Sequence, residues 1–136
     1  MSESKTVAAA RPLSPHVQVW RWHVTMATSI LHRATGIALY IGALVLAGWA
    51  AALARGPGAF AEYRELLASL LGQLVLFGLT VSLFYHLASG VRHLWWDSGR
   101  GFEPKTADMT GAAAIAFGLF AGLAIWLVAL LGGAAG

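Results

Sequence analysis

The residues best placed to do chemistry lie in the run Phe84-Tyr85-His86-Leu87-Ala88-Ser89-Gly90-Val91-Arg92-His93, at the end of a long apolar stretch. His86 stands six residues before Arg92, the first charge after it. At the helical rise this puts the imidazole roughly 9 Å below that charge, in hydrocarbon. An ionisable ring at such depth is costly unless another group engages it, so it marks a functional site. Ser82 and Gly90, one turn to either side on the same helix face, leave the backbone open to a flat macrocycle.

A buried histidine is a common axial ligand of haem iron in electron-transfer proteins. His93 lies two turns further along the same face, about 10.5 Å along the axis. It can reach a propionate but cannot take the opposite side of the same iron. A six-coordinate haem therefore needs its second histidine from another helix, in this chain or in a partner. The competing reading is that His86 only hydrogen-bonds a neighbouring helix, and position and packing weigh the two evenly.

The second cluster is Ser29-Ile30-Leu31-His32-Arg33. Ser29 and Arg33 are four residues apart and share a helix face, which sets a hydroxyl donor and a fixed cation beside apolar walls. That mixture suits a ligand with carbonyl oxygens and a hydrocarbon tail, such as a quinone. Taken alone, the cluster is better explained by Arg33 snorkelling to lipid phosphate and Ser29 bonding back to its own helix. The functional reading gains weight because both clusters fall on one side of the membrane.

The elements that must position these groups are membrane helices. Of 136 residues 58% are hydrophobic and 11% charged, a profile foreign to soluble domains. Three long runs lie between charges: Ala34 to Ala54, Leu66 to Val91 and Met109 to Gly136. Each has the roughly 20 residues that a helix needs to cross hydrocarbon, and the chain is too short for a barrel with a polar lumen. The expected fold is an all-α membrane protein with three transmembrane helices, and because three helices bury little on their own, it is expected to pack within a larger complex.

The expected boundaries are an amino-terminal arm over 1–23, a first span over 24–54, a loop over 55–65, a second span over 66–96, a loop over 97–109 and a third span over 110–133. Thr25 or Thr28 is expected to cap the first helix, and Arg55-Gly56-Pro57-Gly58 to end it. Arg11-Pro12-Leu13-Ser14-Pro15 delays helix in the arm. Gly118 and Gly122 form a small-xxx-small pair expected to face a neighbouring helix.

The absence of cysteine removes disulfides, iron–sulfur ligation and thiolate zinc sites from this chain. The net charge of +3 marks topology, not nucleic-acid binding. Lys5, Arg11, Arg21, Arg33, Arg92, Arg100 and Lys105 fall on one side and Arg55 and Arg64 on the other. Positive residues stay inside, so the amino terminus and second loop are expected to be cytoplasmic, with membrane lipid around the spans.

Taken together, Arg11-Pro12-Leu13-Ser14-Pro15-His16, then Ser29-Ile30-Leu31-His32-Arg33 with Gly36, then His86, Gly90, Arg92, His93 and Asp97 resemble the cytochrome b membrane-anchor subunit of succinate dehydrogenase, respiratory complex II. The resemblance covers Arg11 to Asp97 in motifs and the whole chain in its three-helix layout. His23 stands where that family more often has proline.

The resemblance implies that His86 is an axial ligand of haem b, with the opposite ligand from the second hydrophobic anchor subunit. It implies that Ser29, Arg33 and the adjoining Ile30 help form the quinone site. His32 and Arg33 would approach the haem propionates, and His93 and Arg92 would contact a propionate or anchor the structure. Partners would be a flavoprotein that oxidises succinate and an iron–sulfur subunit that carries electrons to the inner-membrane face. The chain itself would hold no catalytic residue of the dehydrogenase, serving electron transport in the tricarboxylic acid cycle. Alternatives are a haem-free docking anchor, a quinol:fumarate reductase anchor and, ranked lowest, a small proton channel using His86 as a relay.

Overall fold

The computed structural model describes residues 20–133 and contains four helices: α1 (Val24–Ala54), α2 (Pro57–Ala68), α3 (Leu70–Asp97) and α4 (Pro104–Gly133). The Arg11–His16 motif, Lys5 and the delayed helix start in the arm lie outside the described residues. Among the described residues there is no strand. Helices α1, α3 and α4 are each long and apolar enough to cross a membrane.

Helix α1 begins at Val24 after His23, which makes no side-chain cap. Neither threonine caps it, contrary to expectation. Thr28 lies inside the helix, 1% exposed, and its hydroxyl donates to Thr25 O at 3.0 Å. A threonine in a hydrocarbon span satisfies its own hydroxyl this way.

The Arg55–Gly58 breaker ends α1 as its composition requires. Gly56 takes φ of 105°, a left-handed conformation that suits glycine, and Pro57 opens α2 in the first turn. Residues 57–65, read as loop from sequence, are thus helical. This short helix packs back on α1: Tyr63 donates to Val45 O at 2.8 Å, and Phe60 meets Trp49 edge to face with centroids 6.2 Å apart.

The second span starts at Leu70, four residues later than the apolar run alone indicates. Ser69 interrupts it, with ψ of 156° and its Oγ accepting from Gly72 N at 3.1 Å as an N-cap. A Cβ at Gly72 would lie 2.5 Å from Leu66 O, so only glycine allows this tight α2–α3 junction. The third span starts earlier than expected, at Pro104, because proline tolerates the first helical turn.

Helix α4 buries a stripe of Ala107, Gly111, Ala114, Gly118 and Gly122. A Cβ at Gly118 would lie 2.7 Å from Tyr85 Cβ and 3.0 Å from the Tyr85 backbone, and one at Gly122 would lie 2.7 Å from Val81 Cγ2. The small-xxx-small pair therefore packs α4 on α3, as expected. The outer faces stay apolar and open: Leu70 is 78% exposed and Phe120 72%, surfaces for lipid or a partner helix.

Candidate functional site

The seam between α1 and α3, near the α1 amino end and the α3 carboxyl end, brings three histidines together. The His32 ring stacks on His86 with centroids 4.0 Å apart and planes 9° apart, and faces His93 at 4.8 Å and 31°. The rings stack and do not converge on a point. Among the described residues no group of three or more His, Asp or Glu side chains could hold a metal ion.

Glycine permits the approach of α1 to the ring. A Cβ at Gly36 would lie 3.2 Å from His86 Cε1, so a larger residue would push the imidazole aside. Thr35 Oγ1 stands 3.2 Å from His86 Nδ1. His86 Nε2 has no hydrogen-bond partner among the described residues. Beside it on α3, a Cβ at Gly90 would meet nothing within 4 Å. An uncommitted imidazole edge next to open backbone is the arrangement that a planar, iron-centred ligand needs.

His93 Nδ1 donates to Ser89 O at 2.7 Å, which orients its ring along the seam. His32 Nδ1 is buried without a partner among the described residues. Such a buried polar atom calls for a ligand group or water to complete it.

Ser29, Ile30 and Arg33 are brought together on a second surface. With Thr25 and Met26 they line a shallow groove of about 420 Å³ on α1. Ser29 is half-buried and Arg33 exposed, while Ile30 presents an apolar wall. Arg33 follows His32 by one residue, about 100° round the helix. The groove and the histidine column are therefore adjacent faces of one helical turn.

Arg92 points into the bundle. It is 5% exposed, and its guanidinium donates through Nε to Thr110 Oγ1 at 3.1 Å and through Nη2 to Ala107 O at 2.9 Å. A longer contact of 3.5 Å runs from Nη1 to Thr28 Oγ1, and the cation lies 3.9 Å from the Trp96 ring centroid. These contacts tie α1, α3 and α4 together through Arg92. Tyr85 adds to the tie by donating to Thr28 O at 2.7 Å.

Thr28, Thr35, Tyr85, Ser89 and Thr110 were not legible as site residues from type alone. Their signal is periodicity. Thr28, His32 and Thr35 recur at four- and three-residue steps in α1, as do Tyr85, Ser89 and Arg92 in α3, so each polar set lines one face of an apolar helix.

The family described as succinate dehydrogenase/fumarate reductase transmembrane subunit matches residues 8–125. The chain belongs to this family. The succinate dehydrogenase cytochrome b556 subunit of Paracoccus denitrificans is 43% identical over 106 residues, 78% of this chain and 82% of the relative. The mitochondrial succinate dehydrogenase cytochrome b560 subunit of Homo sapiens is 41% identical over 117 residues, 82% of this chain and 68% of the relative. The cytochrome b556 subunit of Rickettsia felis is 31% identical over 117 residues, covering 86% and 91%. The chain is thus a multi-pass transmembrane subunit of the succinate dehydrogenase/fumarate reductase family.

Proposed function

We propose that this chain is the membrane anchor of a succinate dehydrogenase that holds haem b through His86 and forms part of the quinone-reduction site with Ser29, Ile30 and Arg33. The observation that carries the reading is the uncommitted Nε2 of His86, set in an apolar span beside the open Gly90 backbone. The names of the relatives, cytochrome b556 and b560 subunits, support the same cofactor.

When bound, haem supplies a one-electron carrier whose potential the protein tunes through ligand and burial. The chain's own residues do the rest. His86 would hold the iron through one imidazole nitrogen, and a second hydrophobic anchor subunit would supply a further ligand. His32 and His93, on the same seam, and Arg33 on the adjoining face offer donors to the propionates. In the groove, the Ser29 hydroxyl donates to a quinone carbonyl, Ile30 bounds the apolar ring, and Arg33 stabilises negative charge as the oxygen is reduced, a preorganised electrostatic role.

Succinate oxidation belongs to a flavoprotein partner, and an iron–sulfur partner delivers the electrons. Both dock at the end that carries Arg21, Arg33, Arg92, Arg100 and Lys105, which the positive-inside bias assigns to the cytoplasmic side.

Two substitutions in the purified complex test the reading. His86→Ala should abolish the reduced-minus-oxidised b-type spectrum, and an unchanged spectrum would overturn ligation by this residue. Arg33→Ala should slow succinate–quinone turnover by roughly 100-fold while sparing succinate oxidation with a soluble dye. Equal loss of both activities would show a defect of assembly and refute the local role.

A further inference from the structure

The geometry points to Thr35 as the positioning residue that holds His86 in the Nδ1–H tautomer and thereby tunes the potential of iron bound at Nε2. This rests on the proposed ligation by His86. The Thr35 hydroxyl has one hydrogen and three neighbours: Leu31 O at 2.8 Å, His32 O at 3.0 Å and His86 Nδ1 at 3.2 Å. The carbonyls only accept and lie closer, so the hydrogen goes to the backbone and a lone pair faces the ring. His86 Nδ1 must then be the donor, which leaves the Nε2 lone pair free for a metal.

The same arrangement recurs three times in the fold. Thr28 donates to Thr25 O and faces Arg92 Nη1. Thr80 donates to Leu76 O and accepts from Trp126 Nε1 at 3.3 Å, and Thr110 donates to Thr106 O and accepts from Arg92 Nε. In these cases the incoming group is an N–H that can only donate, so each threonine is an acceptor across helices. Thr35 has the same local bonding and takes the same role toward His86. A hydroxyl that already donates is a better acceptor, because linked hydrogen bonds polarise one another.

Metal-bound histidines are held in this way by an acceptor at the second ring nitrogen, which fixes the ring and raises its basicity. A more basic ligand favours ferric over ferrous iron. Removing the acceptor should therefore raise the haem midpoint potential. Gly36 cooperates by leaving room for the ring to reach Thr35, with only 3.2 Å available between a Cβ there and His86 Cε1.

The test is a redox titration of the haem in the intact purified complex, read from its visible spectrum. Thr35→Val keeps the side-chain shape and removes the acceptor. It should retain a b-type spectrum with its midpoint shifted positive, and Thr35→Ser should restore the wild-type value. Haem lost from an assembled Thr35→Val complex and regained with Thr35→Ser would support the same role. Should the valine variant fail to assemble, Thr35→Cys, a weak acceptor of similar size, takes its place with the same positive shift expected.

An unmoved midpoint in the assembled variant would overturn the assignment of Thr35, as would a shift that Thr35→Ser fails to reverse. His86→Ala separates the two levels. If it loses the haem while the Thr35 variants titrate as wild type, the tuning role fails and ligation stands. If it keeps the haem, the underlying reading of His86 fails.

Discussion

At the scale of single residues, what distinguishes this chain is how it accommodates polar groups in hydrocarbon. Arg92 places a permanent cation inside the bundle and answers it with neutral acceptors from two other helices and the face of Trp96. Hydrogen bonds between membrane helices contribute about 0.6 kcal/mol each on average, so removing all three should cost about 2 kcal/mol. Arg92→Gln is expected to lower the thermal midpoint of the detergent-solubilised complex accordingly. Arg92→Lys should lose nearly as much, since one ammonium cannot span acceptors on α1 and α4 as the guanidinium fork does. A midpoint equal to wild type in both variants would mean that the tie is not stabilising. His86 differs from Arg92 in just this respect: its Nδ1 is engaged and its Nε2 is left over.

At the scale of elements, packing is decided by where side chains are missing. Hydrocarbon removes the hydrophobic drive between helices, so close backbone approach and dispersion must hold α4 to α3. Gly118→Val should force α4 away from Tyr85, because the first added carbon alone would sit 2.7 Å from Tyr85 Cβ. A loss of about 1–3 kcal/mol is expected from such overpacking, visible as a lowered thermal midpoint or poor recovery of assembled complex. Gly132→Ala, where an added Cβ meets nothing within 4 Å, should behave as wild type. The three long spans were legible in the sequence because length and apolarity are one-dimensional properties. Helix α2 was not, because twelve residues of mixed polarity carry no comparable signal, and it is held by Tyr63 and Phe60 against residues of α1 more than ten positions away. The break at Ser69 was also hidden inside an apolar run, although the Ser69 cap and the crowded Gly72 account for it once the backbone is known.

At the scale of the whole molecule, most of the charged residues and both candidate clusters gather at one end of the bundle, where α1 begins and α3 gives way to α4. That end is expected to face the cytoplasm. Because the chain has no cysteine, single introduced thiols report sidedness cleanly. Ser98→Cys should resist a membrane-impermeant maleimide in intact cells and react in inverted vesicles, and Gly58→Cys should do the opposite. The reverse pattern would invert the proposed topology and move the iron–sulfur docking face with it. Sequence by itself determined the membrane class, the three spans, and the two clusters around His86 and Ser29–Arg33, since these depend on composition and helical spacing along one chain. Only the tertiary structure decided that Arg92 ties helices together, that the His32 ring packs against both His86 and His93, and that Thr35 faces the His86 Nδ1. Those facts depend on which residues of different helices meet, and that is settled by the rotation and depth at which the spans pack.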